Sequence, residues 1–155
     1  MELTTCLTIV KNSNHLLMIE KKRGLGKGYI TFPGGKVEVE TPDVCAVREL
    51  KEEVGITGYS PRNVARIIFV QKSGKINVMY VYQITNFSGH MVETEEAKPF
   101  WIDKNKLPFE KMWIDDRFWL PKVLGGKYVD CIFMFSDNWE NLLEGNCYEI
   151  MQGLS

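Results

Sequence analysis

The sequence of 155 residues lacks several features that would assign it to a specialised class of protein. No apolar stretch approaches the roughly 18 residues that a membrane-spanning helix needs. No run of lysine and arginine offers an electrostatic grip on a nucleic-acid polymer, and the formal net charge is −1. Internal repeats and low-complexity segments are also absent. We therefore expect a single domain over residues 1–155, a monomer with neither a membrane nor a nucleic-acid polymer as partner.

The cysteines lack the spacing of a known site. Cys6, Cys45, Cys131 and Cys147 form neither a C-x-x-C pair nor a zinc-ligand pattern. We interpret them as free thiols in a reducing cytosol. The first 14 residues have no basic region followed by a long apolar run, so we expect no signal peptide. These features together favour a cytoplasmic location.

Strand-like patterns outnumber helix-like ones along the chain. Two helices are predicted, one after Thr41 and one around Phe118–Leu120, the latter short or kinked because Pro121 lies inside it. Strands on both sides of these helices indicate a mixed α/β fold, with a sheet sandwiched between helices. The predicted strands are Leu3–Val10, His15–Glu20, Tyr29–Phe32, Arg66–Lys72, Ile76–Ile84, Tyr128–Phe135 and, more weakly, Asn146–Met151.

The stretch Gly35–Ile56 reads GKVEVETPDVCAVRELKEEVGI and predicts a glycine loop that leads into an acidic helix. Thr41 is a good N-cap, Pro42 suits the first helical position, and Gly55 is a natural stop. The glycines before the helix allow the backbone to approach a metal or a phosphate closely. This stretch is therefore the candidate catalytic region.

The helix is predicted to have two faces, because successive residues advance by about 100°. One face is apolar and is expected to pack on the sheet; it contains Val44, Val47, Leu50 and Val54. Three carboxylates are expected on the opposite side; they belong to Glu49, Glu52 and Glu53. Like charges at this spacing repel, so a cation between them is favoured over a merely solvated face. Hard oxygen ligands suit Mg²⁺ or Mn²⁺.

The same stretch resembles the signature of the Nudix hydrolases, a glycine followed by a glutamate, an Arg-Glu-aliphatic group, a Glu-Glu pair and a Gly-aliphatic pair. The match departs once, since four residues rather than five separate Gly35 from Glu40. The resemblance implies hydrolysis of a nucleoside diphosphate linked to another group, with Mg²⁺ as cofactor and Mn²⁺ as a substitute. The matching residues are Glu40, Arg48, Glu49, Leu50, Glu52, Glu53, Gly55 and Ile56.

The resemblance also implies roles for individual residues near the helix. Glu49 and Glu53 would ligate the metal, and Glu52 would either ligate metal or orient and deprotonate the attacking water. Arg48 would hold Glu40 or a ligand glutamate in place. The implied remaining contacts are the Gly34 carbonyl and Glu96 on the metal, and Gly35 and Lys36 on the substrate.

Two further segments, KKRGLGKG and LPFEKMWIDDRFWLP, resemble the branch of the family that hydrolyses oxidised purine nucleoside triphosphates. By that resemblance Trp113 would stack on the purine, while Asp115 and Asp116 would bind its Watson–Crick edge and share one proton. Lys21 would lie at the pocket rim, with Phe69 and Phe135 in its lining. The sequence departs from the branch at three pocket positions: Thr31 replaces an asparagine, Leu25 a phenylalanine and Cys6 a threonine.

The resemblance therefore implies Mg²⁺-dependent conversion of 8-oxo-dGTP and related nucleotides to the monophosphate and pyrophosphate, which would cleanse the nucleotide pool. Two alternatives remain at this point. One is a Nudix enzyme for an unmodified or methylated nucleoside triphosphate or a nucleotide sugar. The other is a catalytically silent nucleotide-binding module, and the complete set of helix glutamates argues against it.

Overall fold

The computed structural model of the chain describes residues 2–151. The helices in this range are α1 (Pro42–Val54) and α2 (Asp116–Leu124), with short 3₁₀ turns at Lys104–Lys106 and Phe109–Lys111. The strands are β1 (Glu2–Asn12), β2 (His15–Lys21), β3 (Ile30–Thr31), β4 (Gly34–Lys36), β5 (Thr57–Tyr59), β6 (Arg62–Gln71), β7 (Ile76–Ile84), β8 (Asn86–Ser88), β9 (Ala97–Asp103), β10 (Lys127–Phe135) and β11 (Leu142–Met151).

Most strands join one mixed sheet in the order β11-β10-β6-β7-β1-β2-β3. The β1–β7 and β10–β6 pairs are parallel and the others along this path are antiparallel. In addition, β4 pairs with β1 and β9 with β2, while β5 and β8 form a separate small sheet. The predicted class, a mixed sheet between helices, is confirmed.

Helix α1 packs on one side of the sheet, but its buried face differs from the predicted one. Cys45, Ala46, Leu50 and Val54 are the buried residues, whereas Val44 is 52% exposed. The prediction that Val44 belongs to the packed face is therefore wrong. The helix is rotated so that Glu49 and Glu53 flank the buried face and are partly buried, whereas Glu52 remains exposed.

Helix α2 covers the other side of the sheet. Its Trp119, Leu120 and Val123 are buried in a core cluster that includes Val129 and Phe133 of β10. The helix has nine residues and contains Pro121, in line with the prediction of a short helix. It ends at Gly125, whose backbone N–H donates to the Pro121 carbonyl.

The cysteines are paired, so the expectation of free thiols is wrong. Cys6 is bonded to Cys45, and Cys131 is bonded to Cys147. The first bond forms where α1 packs on β1, and the second joins residues that lie opposite each other in the β10–β11 register. Sequence spacing does not reveal either pair, because both are created by tertiary or cross-strand proximity.

Within residues 2–151, no helix is long and apolar enough to cross a bilayer. Three clusters of buried apolar side chains fill the two sides of the sheet. The sheet thereby separates the side that carries α1 from the side that carries α2. The short strands β3 and β4 lie close to both sides and contribute residues to the cavities there.

We predict that Leu50→Ala lowers the free energy of unfolding by about 2–5 kcal/mol, because it opens a cavity in a fully buried position. Val44→Ala on the same helix is the matched control, with an expected change within about 0.5 kcal/mol at an exposed site. Urea denaturation followed by tryptophan fluorescence measures both values. Equal losses for the two variants would contradict the observed rotation of α1.

Candidate active site

Two adjoining cavities lie beside the short strands β3 and β4. The first, of about 260 Å³, is lined by Trp113, Asp115 and Asp116 among others. The second, of about 310 Å³, is lined by the α1 glutamates and Glu96. We call them the base cavity and the acidic cavity. Four residues line both cavities and thus form the boundary between them: Lys21, Thr31, Phe32 and Gly34.

The acidic cavity is built around the contact between α1 and the glycines of β4. The Gly34 backbone N–H donates to Glu53 Oε1 at 3.1 Å. A side chain at position 35 would bring its Cβ within 2.6 Å of the Glu49 carboxyl carbon, so Gly35 allows this close approach. The glycines therefore seat the two carboxyls against the backbone.

Burial changes the acidity of this carboxyl pair. The pKa of Glu53 is raised to about 8, chiefly because the carboxyl is removed from water, and Glu49 raises it further through a hydrogen bond and its charge. Burial also raises the pKa of Glu49, against the opposing effect of Arg48. The two carboxyls lie close enough to interact directly, and this favours a proton or a cation between them. In the absence of a cation, a proton therefore partly neutralises the pair.

Arg48 connects the helix glutamates to the loop before the helix. Its Nη2 donates to Glu40 Oε1 at 2.7 Å and to the Lys36 carbonyl at 3.0 Å. Its Nη1 donates to Glu49 Oε1 at 2.9 Å and to Glu52 Oε2 at 3.1 Å. Arg48 thus fixes the helix-entry loop and the side chains of two glutamates with one guanidinium group.

At the edge of the acidic cavity, the Glu52 and Glu96 carboxylates pair with arginine side chains. The Glu52 side chain is 58% exposed and contacts Arg48. Glu96 accepts from the guanidinium of Arg23. Among residues 2–151, no three carboxylate, imidazole or thiol groups converge closely enough to form a ready metal site. The predicted cluster is therefore only partly assembled, with Glu49 and Glu53 in contact and the other two turned outward.

The donor set nevertheless fits a divalent cation. Two carboxyls are forced together by the fold and share a proton that a cation could replace. Carboxylate oxygens are the ligands that Mg²⁺ and Mn²⁺ prefer. Glu52 and Glu96 line the same cavity, and neither carboxylate is buried. A cation in this cavity would be held by Glu49 and Glu53, with Glu52, Glu96 and Gly34 as additional candidates.

Trp113 forms one wall of the base cavity. Its ring lies 4.7 Å from that of Tyr29, centroid to centroid, at an interplanar angle of 55°. A Cβ at Gly26 would come within 2.9 Å of the indole, so the glycine lets the β2–β3 loop lie against it. The loop, which carries Leu25, and the tryptophan thus shape the cavity together.

Asp115 and Asp116 are almost fully buried, with 3% and 5% exposure. Burial raises the pKa of Asp115 to about 6, and burial together with the Asp115 charge raises the pKa of Asp116 well above its ordinary value. Trp119 Nε1 donates to Asp115 Oδ2 at 2.9 Å. Asp115 occupies the N-cap position of α2 but makes no side-chain cap, so its carboxyl serves the pair instead.

Of the other residues predicted to bind the substrate, all except Lys36 line the base cavity. Cys6 lines the base cavity, yet its side chain packs with Cys45 and Tyr82 on the α1 side of β1. Lys36 is exposed and lines neither cavity. The remaining predicted residues all line the base cavity: Lys21, Leu25, Thr31, Gly35, Phe69 and Phe135.

Several residues of the base cavity are not indicated by the sequence motifs. Trp139 comes from the turn between β10 and β11 and lies 5.5 Å from Phe135, ring to ring. An aromatic residue inside the polar stretch 136–141 was the available signal for it. The others carry no motif: Thr5, Leu7, Asn77 and Met79 occupy ordinary strand positions, and Phe32 directly follows β3.

Comparison with known proteins gives a consistent result. The family described as NUDIX domain matches residues 2–123. A zebrafish (Danio rerio) protein named oxidized purine nucleoside triphosphate hydrolase is 36% identical over 132 residues, which cover 83% of this chain and 84% of the relative. The mouse (Mus musculus) protein of the same name is 34% identical over 133 residues, with coverages of 84% and 85%.

The fold also matches that of a solved structure. The MutT protein from Bacillus halodurans superposes with a TM-score of 0.83, and the match covers 94% of this chain and 97% of that one. The sequence identity is 24%, so this likeness concerns the fold alone.

The raised pKa values of the aspartate pair predict a pH dependence of stability. Because the folded state holds protons more tightly than the unfolded chain, both groups stabilise the fold fully below about pH 4, and the contribution of Asp115 is lost as pH rises through about 6. Asp116→Asn, which cannot ionise, should lose less stability than the wild type as pH rises from 4 to 7. Urea denaturation across this range measures the difference, and parallel pH profiles would refute the assignment.

Proposed function

The chain belongs to the NUDIX domain family, and from that premise we propose that it hydrolyses oxidised purine nucleoside triphosphates such as 8-oxo-dGTP. The products would be the nucleoside monophosphate and pyrophosphate, and the reaction would depend on Mg²⁺, with Mn²⁺ as a substitute. The names of the zebrafish and mouse relatives support this substrate class. The cellular role would be removal of damaged nucleotides before they enter DNA.

The observation that carries the proposal is the junction of the two cavities. An aromatic cavity with a buried aspartate pair opens beside a cavity lined by four glutamates. A nucleotide has the matching division into a flat heteroaromatic base and a polyanionic phosphate chain. Lys21 lines both cavities, so its ammonium would lie near the sugar–phosphate link and counter the phosphate charge.

Recognition of the base would depend on Trp113 and the aspartate pair. The indole offers a flat surface for stacking on a purine. With one proton between them, Asp115 and Asp116 present one donor and one acceptor. A purine whose oxidation changes its pattern of donors and acceptors would be distinguished at this edge. Thr31 makes fewer hydrogen bonds than an asparagine amide, so we expect its contribution to selectivity to be smaller.

The phosphate chemistry would take place at the α1 glutamates. A divalent cation held by Glu49 and Glu53 would neutralise phosphate charge and lower the pKa of a bound water. Glu52, exposed and within reach of Arg48, would orient or deprotonate the attacking water. The water oxygen would attack phosphorus while the bond to pyrophosphate breaks, and the proton of the water would pass to the carboxylate. Arg48 would position Glu49 and Glu52 for these roles.

We further propose that residues 1–155 act as one Nudix domain, as a monomer and in the cytoplasm, where the two cysteine pairs would be an exception to the usual rarity of disulfides. The family match over residues 2–123 supports the first part. Helix α2 and strands β10 and β11 complete the base cavity through Asp116, Phe135 and the turn that carries Trp139. The C-terminal part of the fold is thus needed for the proposed substrate pocket.

We predict that Glu53→Gln lowers Mg²⁺-dependent hydrolysis by about 10²–10⁴-fold, because the amide is a poorer cation ligand and cannot accept a proton. The assay follows pyrophosphate release from 8-oxo-dGTP, with a thermal melt to verify the fold. Glu140→Gln, in the turn between β10 and β11, is the control and should retain wild-type activity. Full activity of a natively folded Glu53→Gln variant would exclude the metal assignment.

Trp113→Ala is expected to weaken binding of oxidised purine nucleotides by about 1–3 kcal/mol, the range for loss of aromatic stacking on a base. Binding of pyrimidine nucleotides should change less, because they offer a smaller stacking surface. Titration calorimetry with the nucleoside monophosphates measures both. An equal loss for purines and pyrimidines would argue against a purine-stacking wall.

A further inference from the structure

Two polar side chains, Thr5 and Asn77, stand in the largely apolar lining of the base cavity. Thr5 Oγ1 donates a hydrogen bond to Asn77 Oδ1 at 3.0 Å. Thr5 lies on β1 and Asn77 on β7, and both line the cavity that contains Trp113. Their neighbours along the strands, Leu7 and Met79, line the same cavity and are apolar. A hydrogen-bonded polar pair at this place calls for a functional explanation.

The strand register places Thr5 and Asn77 on the sheet face that also presents Leu7 and Met79. In the parallel β1–β7 pairing, Thr5 lies opposite Met79 and Leu3 lies opposite Asn77. Side chains two residues apart share a face and are spaced by about 6.6 Å. Thr5 and Asn77 each lie one such step before Leu7 and Met79. The pair belongs to the central strands of the sheet, whereas Asp115 and Asp116 belong to the start of α2, so the cavity has polar groups on both elements.

The hydrogen bond from Thr5 determines which groups of Asn77 remain available. A carboxamide has one acceptor oxygen and an NH₂ group with two donors. Thr5 engages the oxygen, and within residues 2–151 the Asn77 Nδ2 donates no hydrogen bond to another residue. Asn77 is half-buried, so these donors remain open to water or a ligand. The pair therefore presents N–H donors of fixed orientation on the cavity wall.

We propose that Asn77 Nδ2 donates a hydrogen bond to an acceptor oxygen on the nucleoside part of the substrate, and that Thr5 is the positioning residue that orients it. This inference rests on the proposed function, since it presumes a nucleotide in the base cavity. The acceptor is a carbonyl oxygen of the purine or a hydroxyl oxygen of the sugar. Once a bound nucleotide excludes water from Asn77, a donor left unpaired is costly, so Asn77 discriminates against nucleotides that lack the acceptor. Asn77 thereby determines specificity in addition to the aspartate pair.

The test compares four variants of the full chain. Asn77→Leu removes the donors at similar size, and Asn77→Asp replaces them with acceptors. Thr5→Val removes the orienting hydroxyl at similar size, while Thr5→Ser retains it. Thr4→Val is the matched control, since Thr4 is the adjacent threonine of β1 and lies outside the cavity lining. Thermal melts verify that each variant is folded.

Two measurements are made on each protein. Titration calorimetry without added metal gives the dissociation constants of 8-oxo-dGMP, dGMP and dCMP, together with 8-oxo-GMP and the 2′,3′-dideoxy form of 8-oxo-dGMP. Steady-state kinetics with Mg²⁺ gives kcat and KM for the triphosphates of the first three. The monophosphate titrations report on the base cavity independently of hydrolysis.

We expect Asn77→Leu to weaken binding of 8-oxo-dGMP about threefold to tenfold, the equivalent of one hydrogen bond between uncharged groups. Asn77→Asp should lose at least as much, because its oxygens repel the acceptor. Thr5→Val should show part of the loss, with KM raised and kcat little changed, and Thr5→Ser should restore affinity. Thr4→Val should match the wild type.

The pattern across ligands identifies the acceptor. A loss confined to nucleotides with an oxidised base supports the C8 carbonyl as partner, and a loss shared by 8-oxo-dGMP and dGMP but not by dCMP supports the C6 carbonyl. A loss that disappears for the dideoxy nucleotide, whatever the base, supports a sugar hydroxyl. Unchanged dissociation constants for a folded Asn77→Leu protein would overturn the proposal. The Thr5–Asn77 pair would then be solvated and without a role in binding.

Failure of the proposed function is distinguishable from failure of this inference. If the wild type binds 8-oxo-dGMP but hydrolyses no purine triphosphate, the proposed reaction is wrong. Calorimetry then still tests the effect of Asn77 on binding. If the wild type binds none of the nucleotides, both are overturned. If hydrolysis is normal and Asn77→Leu changes neither affinity nor KM, only the inference fails.

Discussion

The site depends on the seating of the Glu53 carboxyl against the Gly34 backbone N–H. This contact fixes α1 to β4 and draws the carboxyl out of water. Glu49 is held beside it because Gly35 leaves room for its side chain. Burial of two adjacent acids is unfavourable unless a proton or a cation lies between them. The fold thus maintains a pair of carboxyls that favours a positively charged partner.

The rotation of α1 gives this arrangement its chemical character. Had the glutamates faced directly away from the sheet, they would be solvated, with pKa values near those of free carboxylates. Instead they flank the buried face, where Glu53 has a pKa of about 8 and Glu52 remains open to solvent. One helix therefore presents a buried pair suited to a cation and an exposed carboxylate suited to water. Arg48 connects the two sets and the entry loop.

The base cavity uses the same physical principle with different elements. Asp115 and Asp116 are buried at the start of α2, where Trp119 supplies one donor and burial raises the pKa of both acids. The cavity meets the acidic one across Lys21, Thr31, Phe32 and Gly34. Recognition and hydrolysis are therefore separated by a few side chains, while the elements that carry them come from distant parts of the chain.

The sequence by itself determined the mixed α/β class, the span of α1 and the residues of the glutamate motif, because these depend on local periodicity and capping. It also indicated Trp113, Asp115 and Asp116 through a motif of adjacent residues. Only the tertiary structure decided that Val44 is exposed, that the cysteines pair and that Thr5, Asn77 and Trp139 line the base cavity. These features depend on strand register and on the rotation of a helix against a sheet. Such long-range packing leaves no fixed spacing in the sequence.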